Sequence, residues 1–399
     1  MASSNDRQPY IITFKRKDER SRAEDKQDIV RETISSDVQF FTSEDFARDK
    51  NPVPSAQDME SLGYDVNRYG APLLMARLTP DEAQALDADD NVLRVEEDGE
   101  MHALDLHLEG TPAPQAETIP AGVNQVKAPD AWPTSQGEGI KVFICDTGID
   151  SNHPDLVNNL RAGKSFVTSE SSTEDYHGHG THCAGTVAAS LNGSGVVGVA
   201  PYAYLYPIKV LSSTGSGNWS WLIAALDWIA DKKGARIASM SLGGSGAPQA
   251  LGDMCQTVYD DGVLLVAAAG NSGGPPDTVG YPAKFDSVVA VSAVDSTDTI
   301  AGFSSVGPAV EVCAPGVNVL STTKGGGVGY MSGTSMACPH VSGVAALAWG
   351  SHRGGNNKQI RWLLNTFAVN VGDGDPEKYG DGRVDANTTS FYIGNPPEF

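Results

Sequence analysis

The chain has 399 residues, 40% hydrophobic and 20% charged, enough to bury a large core and to fold as two units. Its 50 acidic and 28 basic side chains leave a net charge of −22, a surface that repels phosphate backbones and argues against nucleic-acid binding. Five cysteines (Cys145, Cys183, Cys255, Cys313 and Cys338) occur without a CxxC spacing, so neither a zinc knuckle nor a dense disulfide framework is expected.

The N-terminal MASSNDRQPY is polar and has no signal-peptide character, and no later run approaches the ~18 apolar residues of a membrane span. Residues 9–16 (PYIITFKR) read as a strand, 15–32 as a charged helix and 71–79 (APLLMARLT) as a second strand. Thr79-Pro80-Asp81-Glu82 opens a helix, with Thr79 as cap, Pro80 first inside and Glu82 completing a capping box. Residues 91–98 (NVLRVEED) give a last short strand. This β-α-β-α-β order without catalytic signatures predicts a small α+β module of ferredoxin-like type.

Residues 110–122 (GTPAPQAETIPAG) are rich in Pro and Gly and read as a linker. Beyond them, apolar runs at 141–148 (KVFICDTG), 204–211 (YLYPIKVL), 235–244 (ARIASMSLGG), 263–271 (VLLVAAAGN) and 288–295 (VVAVSAVD) each end in a turn. Helical segments at 220–232 and 251–262 lie between some of them. Continuous apolar strands separated by helices predict an α/β fold, a parallel sheet covered on both faces, with its site at the strand carboxyl ends.

Chemistry-bearing residues sit at those ends. Asp146 follows KVFIC, where a carboxylate either closes a turn or orients a histidine. His179 starts the small-residue helix in HGHGTHCAGTVAA, placed for general-base work. A metal reading of His177, His179 and His182 lacks the Glu of an HExxH motif, and His182 is expected to pack structurally. Ser335, in GTSMACPH, opens an apolar helix whose N-terminus offers a dipole and a free N–H to a developing oxyanion. Asn271 ends VLLVAAAGN and can donate a second hydrogen bond there. Asp146, Ser335 and Asn271 each have a bland alternative as a cap or turn residue. The order Asp…His…Asn…Ser at strand ends and helix starts is specific, and it differs from the Ser…Asp…His order of α/β-hydrolases.

The segments DTGID, HGHGTHCAGT, SMSLGG, AAAGN and GTSMACPHVSG closely resemble the subtilisin-like serine proteases, from about residue 119 to 387. YIITFK and VEEDGEMHAL resemble the propeptides of that family. The resemblance implies an inhibitory, folding-assisting propeptide at 1–104, a linker at 105–122 and a peptidase domain at 123–399. It also implies a serine endopeptidase, made as a self-inhibited precursor, with Asp146, His179 and Ser335 as triad and Asn271 as oxyanion partner. Ser241, Leu242, Gly243 and Gly244 would pair with an extended substrate. Gly244, Ala268, Gly270 and Gly280 would line a roomy pocket for a large apolar P1 residue (P1, P2 and so on counting back from the scissile bond), and Trp219 and Leu222 an apolar P4 pocket.

Self-cleavage is expected between Leu104 and Asp105, with EMHAL left in the cleft as product. Structural Ca²⁺ is the implied cofactor, held by Glu117, Asp155 and Asn192 with the carbonyls of Ser190, Ser194 and Val196. Glu311 is expected at a weaker cation site, and the acidic tail at 373–385 as a solvated loop. Partners would be protein substrates and the chain's own propeptide, the enzyme acting as a monomer, and secretion is favoured over intracellular work. Two alternatives keep the same motifs: a subtilase-type peptide ligase or macrocyclase, and a catalytically silent peptide-binding pseudoprotease.

Overall fold

The computed structural model describes residues 7–15, 23–33, 39–42, 62–66, 73–104, 106–112, 116–234 and 236–390. The N-terminal unit runs β1 (Gln8–Phe14), α1 (Ala23–Thr33), β2 (Gln39–Thr42), β3 (Leu62–Val66), β4 (Leu73–Leu78), α2 (Pro80–Asp87) and β5 (Val92–Glu97). Its sheet has the order β2-β3-β4-β1-β5, with β1 antiparallel to both neighbours. The period-2 alternation decides what each face meets. Ile12, Phe14, Leu74, Ala76 and Leu78 turn toward Val30 and Leu86 of the unit's own helices. Ile11, Leu73 and Met75 turn the other way, into a cluster shared with the larger unit. The predicted capping box opens α2: Glu82 N–H donates to Thr79 Oγ1 at 3.3 Å and Thr79 N–H to Glu82 Oε2 at 2.9 Å. Strands β2 and β3 had no counterpart in the sequence reading.

The chain continues through β6 (Glu100–Ala103), β7 (Leu106–Pro112), β8 (Lys141–Asp146), β9 (Lys164–Ser165), α3 (His179–Ala188), β10 (Tyr204–Lys209), β11 (Ser216–Asn218) and α4 (Trp219–Ala230). There follow β12 (Ile237–Met240), β13 (Leu242–Gly243), α5 (Gln249–Asp260), β14 (Leu264–Ala268), β15 (Val288–Val294), β16 (Val310–Pro315), β17 (Val319–Thr323), β18 (Gly327–Ser332), α6 (Thr334–Ser351) and α7 (Asn357–Thr366). The central parallel sheet has the order β16-β15-β14-β12-β8-β10-β9.

Successive residues of each central strand enter different cores. Val142, Ile144, Leu264 and Val266 pack with α3 and α6 residues such as Val187 and Val344. Phe143, Cys145, Leu265 and Ala267 pack with Leu222, Leu226 and Leu251 of α4 and α5. Covering both faces is what makes these strands read as unbroken apolar runs. The predicted three-layer α/β fold with a small α+β unit before it is therefore the observed one.

Two segments differ from the reading. Residues 106–112, expected as linker, form β7, which pairs with β18. Their Gly and Pro content hid a strand whose partner lies more than 200 positions away. The acidic tail folds onto the sheet edge and is not a solvated loop: Tyr379 and Arg383 are buried, and Cys313 N–H donates to Gly382 O at 2.9 Å.

Candidate active site

Asp146 is the last residue of β8 and His179 the first of α3, and both are fully buried. Asp146 Oδ1 accepts from His179 Nδ1 at 2.7 Å and from Thr147 N–H at 2.7 Å. This approach requires a glycine behind His179, because a Cβ on Gly180 would meet Gly148 O at 2.2 Å. Asp175 pins the start of α3, accepting from Thr147 Oγ1 at 2.9 Å, Gly178 N–H at 2.8 Å and Thr181 N–H at 2.9 Å.

Burial disfavours a charged imidazole. The Asp146 carboxylate, with a contribution from Cys183, outweighs that cost and raises the His179 pKa well above its ordinary value. His179 Nε2 is buried without a hydrogen-bond partner among the described residues. His182, by contrast, is held near 3 by burial and bonds the carbonyls of Val319 at 3.1 Å and Gly329 at 3.2 Å. It is a neutral structural histidine, as the sequence suggested.

Ser335 is buried in the first turn of α6, behind Gly333, whose φ of 153° excludes other residues. Its hydroxyl donates to Ser241 O at 3.0 Å, and Ser241 Oγ donates back to Ser335 O at 2.9 Å. Asn271 Nδ2 donates to Leu104 O at 2.9 Å. Thr334, which the sequence reading missed, fixes that amide. Its N–H, at 3.0 Å, and its hydroxyl, at 2.9 Å, both donate to Asn271 Oδ1, so Nδ2 must face Leu104. The signal available was a hydroxyl directly before the candidate nucleophile.

β6 lies between β11 and β13 as the middle strand of a three-stranded antiparallel sheet. Met101 faces Gly217, His102 faces Ser216 and Gly243, and Ala103 faces Leu242. Ala103 N–H also donates to Gly215 O at 2.9 Å. The predicted strand at 241–244 is thus one wall of the cleft, and β11 is a second wall that the sequence did not reveal.

Counting back from Leu104, Met101 is the fourth residue. It is fully buried in one cluster with Trp219 and Leu222, over Gly217, where a Cβ would stand 3.1 Å from Met101 Cε. Leu104 is half-buried against the cluster that holds Ala268, with Cδ1 3.2 Å from the Cβ position of Gly243. Gly244 lies instead against Trp219 Cζ2 and Glu100 O, on the Met101 side of the cleft. The Cβ positions of Gly270 and Gly280 face Ser305 Oγ and Gly244 O respectively.

With this geometry in place, the comparisons with known proteins are specific. Residues 137–385 match the subtilase family and residues 9–104 the peptidase inhibitor I9 family. The chain belongs to the subtilase family. It is 43% identical over 319 residues to subtilisin NAT of Bacillus subtilis subsp. natto, covering 79% of this chain and 80% of that one. M-protease of Shouchella clausii is 42% identical over 320 residues, covering 80% and 79%. The subtilisin of Bacillus pumilus is 44% identical over 279 residues, covering 69% of this chain and all of its own. The protein is a subtilisin-like serine protease with an I9 inhibitor propeptide.

The propeptide docks on this subtilase through carboxylates aimed at helix starts. Glu96 accepts from Gln249 N–H at 2.8 Å and Ala250 N–H at 3.2 Å at the head of α5, and Asp98 accepts from Ser220 N–H at 2.9 Å at the head of α4. Both meet the positive end of a helix dipole. Burial raises the Asp98 pKa to about 6 against those bonds. Arg94 bridges Glu96 and Asp253 across the interface.

The candidate cation loop is assembled as well. Thr118 N–H donates to Gly195 O at 2.9 Å and Val197 N–H to Thr118 O at 3.2 Å. Buried Asp155 accepts from Val196 N–H at 2.9 Å and Asn192 Nδ2 at 3.1 Å, while Glu117 accepts from Asn192 N–H at 2.8 Å and Gly193 N–H at 2.9 Å. Two carboxylates therefore meet on this loop, and carboxylate oxygen is the ligand type that a hard cation takes. Glu311 is engaged otherwise, by Arg361 Nε at 2.7 Å and Asn365 Nδ2 at 2.8 Å. A fixed guanidinium supplies the positive charge there. The five cysteines are free and buried, and burial pushes Cys338 up to about 12.

Because Asp146 raises the His179 pKa, removing its charge must lower it. In Asp146→Asn, matured by a trace of the native enzyme, the acid limb of the kcat/KM profile should move to lower pH and kcat should fall by about 10⁴. An acid limb that stays in place contradicts the pairing.

Proposed function

We propose that this protease hydrolyses peptide bonds after large apolar residues, and that its first substrate is its own Leu104–Asp105 bond. The observation that carries the reading is the Asn271 amide on Leu104 O, at the end of a strand that enters the cleft between β11 and β13. Such pairing presents any extended chain through its main chain, and the pockets select side chains.

Asp146, His179 and Ser335 act as the triad. The Ser335 hydroxyl turns from Ser241 O to the unpartnered His179 Nε2, which takes its proton as Oγ attacks the carbonyl of the P1 residue. Asn271 Nδ2 and the Ser335 N–H receive the oxyanion. His179 returns the proton to the leaving amine, and water then releases the acyl group by the same route. Asp146 keeps Nδ1 protonated throughout. A half-buried Leu104 beside glycine 243 and Ala268 supports the apolar P1 preference, and Met101 over Gly217 and Trp219 supports an apolar P4 preference. Gly244 belongs with the P4 side on this reading.

The domain limits follow the same logic: residues 1–104 as inhibitor and 123–399 as peptidase, with β7 in the segment between them. Glu117, Asp155 and Asn192, with the carbonyls of Ser190, Ser194 and Val196, would hold a structural Ca²⁺, which when bound would tie the 116–118 segment to the 190–196 loop.

In the Ser335→Ala variant the chain should keep its 399-residue mass, whereas the native chain should give a product beginning at Asp105. Cutting of the variant at that bond would overturn autoprocessing. In the same uncut background, Ca²⁺ should raise the thermal midpoint, by an amount that grows with the logarithm of free Ca²⁺. Asp155→Asn should lose most of that rise, and an equal rise in both proteins contradicts the ligand set.

A further inference from the structure

β7 starts two residues after Leu104 and lies antiparallel along β18, with Leu106 opposite Ser332, Glu109 opposite Tyr330, Gly110 opposite Gly329, Thr111 opposite Val328 and Pro112 opposite Gly327. The other edge of β18 is already taken by β17. Ser332 immediately precedes Gly333 and the helix that carries Ser335. The second edge of β18, held here by β7, therefore begins opposite the second residue after Leu104 and leads away on the leaving-group side.

We propose that this edge is an extended primed-side binding strand, which takes the main chain of a polypeptide substrate from the second to about the eighth residue after the cut. Residues 106–112 are its first, intramolecular occupant. The inference rests on cleavage after Leu104 as read above.

The sequence of the occupant supports the edge as the recruiting element. LHLEGTP contains a Gly and a Pro, which strands disfavour, and Pro112 has no N–H to give. Such a segment pairs at five positions, with a register shift between Tyr330 and Ser332, because the edge of β18 offers a row of main-chain donors and acceptors, not because its own side chains demand a strand. The same row accepts any extended chain. The occupant is also tethered beyond β7, where Thr118 pairs with Gly195 and Val197. Once cut, it stays attached at one end and competes with substrates at high local concentration.

The test uses the processed native enzyme and internally quenched peptides with one non-primed sequence ending in Leu. One set carries two residues after the Leu, and another carries eight of varied composition. A third is the eight-residue set N-methylated at alternating primed-side amides. We expect kcat/KM to rise by about tenfold from two to eight residues, mostly through KM, and to fall back on N-methylation. The rise should be larger in a variant with residues 106–112 replaced by a Gly/Ser stretch of equal length, which removes the competitor. Equal values for two and eight residues in both enzymes overturn the inference while leaving the protease reading intact. A rise that survives N-methylation also overturns it, since side chains then carry the gain. Failure to cleave even the short peptide after Leu overturns the protease reading together with this one.

Discussion

The carbonyl oxygen of Leu104, 2.9 Å from the Asn271 amide, is the contact on which the arrangement of the precursor depends. It joins the end of the propeptide to the chemistry of the peptidase. It has one allowed polarity, because Thr334 occupies the Asn271 oxygen with two donors and leaves only the amide hydrogens to face the cleft. A donor held in that way before the reaction needs no reorganisation when negative charge develops on the carbonyl oxygen, and this is where such a site lowers a barrier. The glycines at 180 and 333 serve the same end, letting the helices that carry His179 and Ser335 approach the strand ends more closely than a Cβ would permit or in a conformation that other residues avoid.

The rest of the propeptide acts to keep Leu104 there. Burial of the Met101 side chain is worth on the order of 2 kcal/mol, and the strand pairing of β6 adds main-chain bonds on both sides. Glu96 and Asp98 satisfy backbone donors at two helix starts that would otherwise need water. Ile11, Leu73 and Met75 meanwhile close the apolar face of the propeptide sheet on the peptidase. Inhibition is thus spread over pockets, strand and helix caps, and no single contact has to be strong.

The sequence was most informative where structure is local. The Thr79–Glu82 box lies within one turn, and the apolar runs of the central sheet declare their double burial directly. Asp146, Asn271, His179 and Ser335 could be placed at strand ends and helix starts because each adjoins a clear change of pattern. Features that depend on distant partners were not legible. β7 is specified by the edge of β18 and not by LHLEGTP itself. The β11 wall is three residues of ordinary turn composition, SGN, that become a strand only when β6 arrives. The fixing of Asn271 by Thr334 joins residues 63 positions apart. The Glu311–Arg361 pair likewise could not be read from a lone acidic residue, so Glu311 looked like a cation ligand until its partner was seen.

The central claim is that a preset donor at position 271 receives charge that exists only during the reaction. Kinetics of Asn271→Leu on a short peptide substrate, matured by a trace of native enzyme, test it most directly. The account predicts that kcat falls by about 10²–10³, the size that loss of this kind of donor has in subtilisin, with KM little changed. A variant whose kcat stays within a few-fold of the native value, or whose loss lies in KM alone, would contradict it.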